Sequence, residues 1–299
     1  MLNQDGFLWI LMCMKNCDES NDTQFDFWSQ NPCGVTGTLA EKSAQRDWLE
    51  PWVSWEIEKF PKSNVKFLEV GCGQGVDAFN VCSKLKPSCG YTAIDYSQES
   101  IHRCNESIDE ARRLFNLPVL PNFMVADATK LPFESGQFDF VYSSGVLHHT
   151  PNPQMGVDEI FRVLKDNGKC VIVLYRFGSL KVGIAKAFRT IQWFFDRMLR
   201  NERIFYKILA TKNLFGMSLG TMLLECFGVP WMHWYKQSEI EQMFSKFQIE
   251  SIETCGFNFP KRTPIRSRKN AFGYLYKITA MKVVSVPAPS KISPNATQK

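Results

Sequence analysis

The sequence predicts an α/β fold: a doubly wound, mostly parallel sheet of seven strands with a helical cap inserted late in the chain. Three observations predict it. Between Val65 and Tyr175, short apolar runs alternate with amphipathic stretches, the signature of a parallel sheet with helices packed on it. The first apolar run, residues 65–70, is followed at once by Gly71, Gly73 and Gly75. That turn marks a ligand crevice at the carboxyl edge of such a sheet. Near the end, two strand-like runs, 248–253 and 272–281, follow one another with no helix between them, the pattern of a closing antiparallel pair.

Taken in order, residues 1–36 form an irregular N-terminal extension whose only apolar stretch is 7–14. That stretch is short and follows Asp5 rather than a basic residue, so it does not read as a signal peptide. Residues 41–60 read as one or two helices, with Trp48, Trp52, Trp55 and Ile57 as a helical stripe. The core runs over 37–177. Its strands are expected at 65–70, 91–95, 122–126, 138–143 and 170–175, with helices at 76–85, from near Gln98, and at 155–164. The last of these helices is expected to stop at Asn167-Gly168. The alternation breaks over 178–235, read as the cap, with helices at 181–199, 203–214 and 219–226. It resumes over 236–284 with a helix at 237–244 and the two final strands. Residues 285–299 are rich in Pro, Ser and Lys and are expected to be disordered.

Composition sets bounds. The chain has 299 residues and a formal net charge of +5, with no apolar run as long as a membrane span. Its ten cysteines contain no C-x-x-C pair, which favours reduced thiols and a cytoplasmic setting over disulfides or a metal site. Nothing in the sequence specifies an oligomer.

The glycine turn admits two readings. A dinucleotide fingerprint places its third glycine at the sixth position; here that position is Val76, and the third glycine comes one residue early. Glu69 stands two residues before the first glycine, where a pyrophosphate would be repelled and an ammonium group attracted. Residues 68–75, Leu-Glu-Val-Gly-Cys-Gly-Gln-Gly, thus resemble motif I of the class I S-adenosylmethionine (SAM) methyltransferases. Asp95 ends the second strand and Asp127-Ala128 the third. Leu131-Pro132-Phe133 follows, then Gly145-Val146-Leu147-His148-His149-Thr150-Pro151 and residues 159–165, Glu-Ile-Phe-Arg-Val-Leu-Lys. In this order and spacing, 65–175 resembles the small-molecule (type 11) branch of that superfamily, with its Rossmann-like sheet.

The resemblance implies roles. Glu69 acts near the methionine amino group, directly or through water. Gly71, Gly73 and Gly75 give backbone access, and Asp95 holds the ribose hydroxyls. Asp127 accepts from the adenine amine beside the Ala128 backbone N–H, and Ser144 lies where the backbone meets the methionine. The bland alternatives are an N-cap for Asp95 and a turn cap for Asp127. His148 and His149 are candidate general bases, useful only where the acceptor loses a proton. The competing role is scaffolding, one ring bonded to the backbone and the other lining the pocket. His233, in 229–235, is either a further base or an ordinary half-buried ring.

The implied activity is transfer of a methyl group from SAM to a small or lipid-like acceptor, at oxygen ahead of nitrogen or carbon. The rivals are a catalytically inactive binding protein of the same fold and a nicotinamide-dependent oxidoreductase. In the cap, residues 178–214 carry eight basic side chains against two acidic ones. They form either a solvated face or a seat for an anionic or lipid-linked acceptor, with peripheral membrane contact. Nucleic acid is not expected: no recognition motif accompanies the charge. Ser143-Ser144-Gly145-Val146 also stands where base methyltransferases carry Asn/Asp-Pro-Pro-Tyr.

Overall fold

The computed structural model describes residues 27–28, 37–199, 229, 231–256 and 273–283. The helices expected at 203–214 and 219–226, the tail 285–299 and nearly all of 1–36 lie outside the described residues.

Two helices lead the domain, α1 (Leu39–Leu49) and α2 (Pro51–Ile57). Thr38 caps α1 in a reciprocal capping box with Glu41, which satisfies two of the amide groups that a helix start leaves orphaned. Pro51 opens α2 at its first turn. The expected tryptophan stripe is therefore not one stripe, because the chain turns at Glu50 between two helices. Ile57 is buried and Trp52 partly so, while Trp48 and Trp55 face solvent.

The alternation then runs β1 (Lys66–Val70), α3 (Val76–Cys82), β2 (Gly90–Asp95), α4 (Gln98–Glu106), α5 (Ile108–Phe115), β3 (Asn122–Val125) and β4 (Phe138–Ser144). A 3-10 turn (Leu147–His149), α6 (Pro153–Val163) and β5 (Leu164–Tyr175) complete this half. Beyond it come α7 (Leu180–Leu199), α8 (Gln237–Met243), β6 (Gln248–Cys255) and β7 (Leu275–Met281). The seven strands form one sheet in the order β3-β2-β1-β4-β5-β7-β6. The first five strands are parallel, and β7 runs antiparallel to both β5 and β6, as the alternation predicted.

One boundary differs. The helix expected to stop at Asn167-Gly168 ends at Val163, and β5 starts at the next residue. Leu164 already pairs with Phe138 of β4, and the register shifts before Lys169. Asn167, at φ 62°, turns the chain inside that irregularity; its N–H donates to Lys282 at 2.8 Å, and the Lys282 N–H returns to Gly168 at 2.9 Å. The Asn-Gly pair is a bulge tied to the end of β7, not a helix stop.

The sheet separates two cores, as the period-2 alternation of a strand requires. Phe67, Tyr91, Phe140, Tyr142 and Val171 face a core with α1 to α5. Leu68, Val70, Ile94, Val141 and Ile172 face α6 and α8. Glu69 falls on the Phe67 side, an acid at a core position, 2% exposed.

Candidate functional site

The strand order reverses between β1 and β4, and open α/β sheets place their ligand crevice at such a switch point, beyond the carboxyl ends of the strands. The glycine turn sits there. The N–H groups of Gly71 and Cys72 both donate to Ile94 O, at 2.7 and 2.9 Å, so the turn is pinned to the end of β2. Gly71, Gly73 and Gly75 have φ of 80, 53 and 80°, the left-handed region where a side chain is disfavoured. At Gly71 a Cβ would also stand 2.0 Å from Val146 Cγ2. This glycine is what lets the turn press against the loop after β4.

Asp95 closes on the turn. Its Oδ2 accepts from Gly73 N at 2.8 Å and its Oδ1 from Ser97 N at 2.9 Å. The helix-capping role belongs to Ser97, which accepts from Ser100 N at the start of α4. Burial raises the Asp95 carboxyl to about 6 against the pull of its backbone donors. An acid already drawn onto the glycine turn can also face a polyol.

Glu69 lies beneath the turn, where its carboxylate accepts a hydrogen bond from Tyr91 Oη at 2.7 Å. Burial, seconded by the charge of Asp77, pushes it up to about 8, opposed by the Tyr91 bond and by Arg46. Asp77, in the first turn of α3, is gripped by Arg46 Nε at 3.0 Å and Nη2 at 2.6 Å and accepts from Tyr142 Oη at 3.2 Å. Tyr91, Asp77, Arg46 and Tyr142 were not foreseen. Two tyrosines in otherwise apolar strands were the available signal, since a buried Tyr hydroxyl needs a partner.

Asp127, past the end of β3, spends one oxygen on its own turn: Oδ1 accepts from Thr129 N and Oγ1, both at 2.7 Å. Turn capping is therefore present, whatever else the residue does. Ala128 beside it is buried. Ser144 ends β4, half-buried, and Gly145 follows at φ 77° with no atom within 4 Å of where its Cβ would be. The fold thus sets Asp127, Asp95, the glycine turn and Ser144 along one edge, at the tips of β3, β2, β1 and β4. Direct hydrogen bonding joins only Asp95 to the turn.

The histidines gather at the next tip, β5. His148 is fully buried with its ring 3.9 Å from that of Tyr175, and neither ring nitrogen has a hydrogen-bond partner among the described residues. Burial and the neighbouring His149 hold it well below the ordinary histidine range, so it is neutral. His149 sets Nδ1 3.0 Å from Trp231 O, and His233 sets Nε2 3.1 Å from Thr150 O. The His233 N–H donates to His148 O at 2.8 Å. The expectation of one ring on the backbone fits His149. His148 lines no open surface: the face it was expected to present is covered by Tyr175. Trp28, from the extension, packs on His149 at 5.5 Å. No cluster of metal-ligating side chains occurs among the described residues.

Comparison with known proteins bears on the family and the fold. Residues 68–172 match the type 11 family model described as "Methyltransferase domain". Tocopherol O-methyltransferase of Arabidopsis thaliana is 32% identical over 126 residues, 42% of this chain and 34% of that protein. The ubiquinone/menaquinone biosynthesis C-methyltransferase UbiE of Rickettsia prowazekii is 27% identical over 140 residues, 46% of this chain and 54% of that protein. The chain therefore spans about a third to a half of the length of these relatives. Among solved structures, a chain from the Haloferax volcanii complex of the Trm112 activator with a methyltransferase superposes with a TM-score of 0.54. It is 14% identical, over 87% of this chain and 98% of that one, a likeness of fold.

Proposed function

The chain carries a class I, type 11 SAM-dependent methyltransferase domain, and from that premise we propose that the protein transfers the methyl group of SAM to a small or lipid-like acceptor, with oxygen the favoured receiving atom. The observation that carries the reading is the chemistry of the donor set. Glu69 and Asp95 are both pushed upward by burial, to about 8 and about 6, on either side of a turn with three left-handed glycines. A ligand bringing an ammonium beside Glu69 and a diol to Asp95 would offset both desolvation costs. A dinucleotide pyrophosphate would aggravate them.

The bound cofactor supplies an activated methyl carbon, so the protein's work is binding, alignment and exclusion of water. Glu69 would face the methionine ammonium, Asp95 the ribose, and the second oxygen of Asp127 with the Ala128 amide the adenine. The Ser144–Gly145 backbone would pass along the methionine, where the open space beside Gly145 admits it. His149 and His233 serve first as ties that hold the loop after β4 against residues 231–233. With its Nδ1 proton directed at Trp231 O, the neutral His149 ring keeps its lone pair on Nε2, which fits it to take a proton from a hydroxyl acceptor. The enclosed His148 is a spacer. The relatives' names, tocopherol and ubiquinone/menaquinone, support an acceptor of apolar character.

Two measurements test this reading. Calorimetry with SAM comes first, because an inert protein of the same fold need not bind it. Incubation of a metabolite extract with methyl-labelled SAM, followed by mass spectrometry, then finds the product. Absence of SAM binding at millimolar concentration would overturn the reading, and NADH binding would favour the oxidoreductase.

A pH dependence follows from Glu69. Its folded value of about 8 lies above the ordinary 4.5, so the neutral form suits the free protein. That contribution to stability is complete at pH below 4.5 and is lost as pH rises through 8. An ammonium beside Glu69 favours the ionised form, so binding below pH 8 releases a proton. SAM affinity is expected to rise by up to about tenfold per pH unit between 7 and 8 and to level off above. Asp95, at about 6, is already ionised in that window. Glu69→Gln should flatten the slope; equal slopes in the two proteins would remove Glu69 from the ammonium site.

A further inference from the structure

Helix α7 faces the wrong way for a packed helix. The side it turns inward carries Val182 and Ala185, but also Arg189, Gln192 and Asp196, none of them exposed. Arg189 donates to Val229 O and approaches Met232 Sδ. The opposite side, at helical spacing, carries Leu180, Ile191, Phe194 and Met198, which are 70, 44, 57 and 56% exposed. Soluble proteins rarely present such a contiguous apolar stripe without an occupant.

Charge flanks the stripe. Lys181 and Lys186 stand at its edges with their ammonium groups 4.2 Å over the rings of Tyr274 and Trp234, respectively. Arg197 is exposed at the far end, and Asp196 is the helix's one acid. Among the described residues no helix is long and apolar enough to cross a bilayer. An apolar stripe bordered by lysine and arginine on a helix too polar to insert is the pattern of a helix lying in the plane of an anionic lipid surface.

We propose that α7 docks on an anionic membrane surface through Leu180, Ile191, Phe194 and Met198, with the exposed Arg197 at the headgroup level and Lys181 and Lys186, held over the protein's own rings, adding positive charge behind the stripe. A second copy of the chain is the poorer occupant, because two-fold pairing would set the same basic borders against each other. The docked helix would begin at the site: Lys181 also lies 5.3 Å over Tyr175, whose ring packs on His148. The contact rests on the methyltransferase reading only for its purpose, delivery of a lipid-like acceptor to the strand tips, and its test does not require that reading.

The test is sedimentation of the full chain with vesicles of phosphatidylcholine, alone or mixed with phosphatidylglycerol, at low and high salt. Binding is expected to the mixed vesicles at low salt and to weaken at high salt. Ile191→Glu and Phe194→Glu should each reduce it by about tenfold or more, the cost of removing one buried apolar side chain from lipid. Both side chains are exposed, so the variants should keep the wild-type circular dichroism and SAM affinity. Failure of the wild-type protein to bind mixed vesicles at low salt would overturn the proposal, as would undiminished binding by both variants. A dimer that Phe194→Glu dissolves, without lipid binding, would assign the stripe to a second copy instead. Intact SAM binding beside absent vesicle binding would sink this inference and leave the proposed reaction standing.

Discussion

Replacing Asp95 with alanine is expected to weaken SAM binding by about 100-fold or more. Hydrogen bonds to a charged group contribute about 1.5–3 kcal/mol each, and a ribose diol on Asp95 would forfeit two. The loss also reaches the free protein. Asp95 holds Gly73 N and Ser97 N at 2.8 and 2.9 Å, and alanine leaves both donors without that acceptor, at about 1–3 kcal/mol for each one that water does not reach. Asp95→Asn separates the two effects. It keeps an acceptor for the glycine turn but removes the charge, so its thermal midpoint should stay closer to wild type than that of the alanine variant, while calorimetry still shows weakened SAM binding. Unchanged affinity in both variants would take the ribose away from β2.

Among the described glycines, Gly71 is where an added Cβ would meet the nearest atom, and Gly71→Ala is expected to be strongly damaging. The backbone there has φ +80°, and the new Cβ would meet Val146 Cγ2 at 2.0 Å and Cγ1 at 2.6 Å. Left-handed backbone costs a non-glycine residue about 1–2 kcal/mol, and forced overpacking typically about 1–3 kcal/mol, occasionally more. Together they should lower the thermal midpoint by about 10 °C and abolish SAM binding, because the Gly71 and Cys72 amides are what tie the turn to Ile94. The double variant Gly71→Ala/Val146→Gly should recover the overlap and leave the backbone strain. No recovery would mean that the turn, rather than its contact with the loop after β4, is the whole cause.

Much of this was legible in the chain itself. The strand directions follow from the alternation and from the two closing strands, because a helical crossover returns the chain parallel and a direct strand-to-strand connection reverses it; the order of the strands in the sheet came from the structure. The glycine turn and the acids at the strand tips were readable because each departs from what burial alone would choose. The partners of those acids were not readable. Arg46 lies 31 residues before Asp77 and Tyr91 22 residues after Glu69; only packing α1 against α3 and β2 against β1 brings them together. The end of α6 misled because Asn-Gly ends helices and turns bulges by the same left-handed conformation. The α7 stripe was visible as interleaved apolar and basic residues, but which side faced the protein depended on Arg189 finding Val229.

The two histidine ties have a property of their own. Each presents a ring nitrogen to a main-chain carbonyl, an arrangement that requires a proton on that nitrogen in the neutral ring and retains it when the ring becomes cationic. Each tie therefore fixes the tautomer of its ring and leaves the other ring nitrogen with its lone pair. The join between the inserted segment and the strand edge is thus also a proton register, since the carbonyls of Trp231 and Thr150 decide which nitrogen of each ring stays bare.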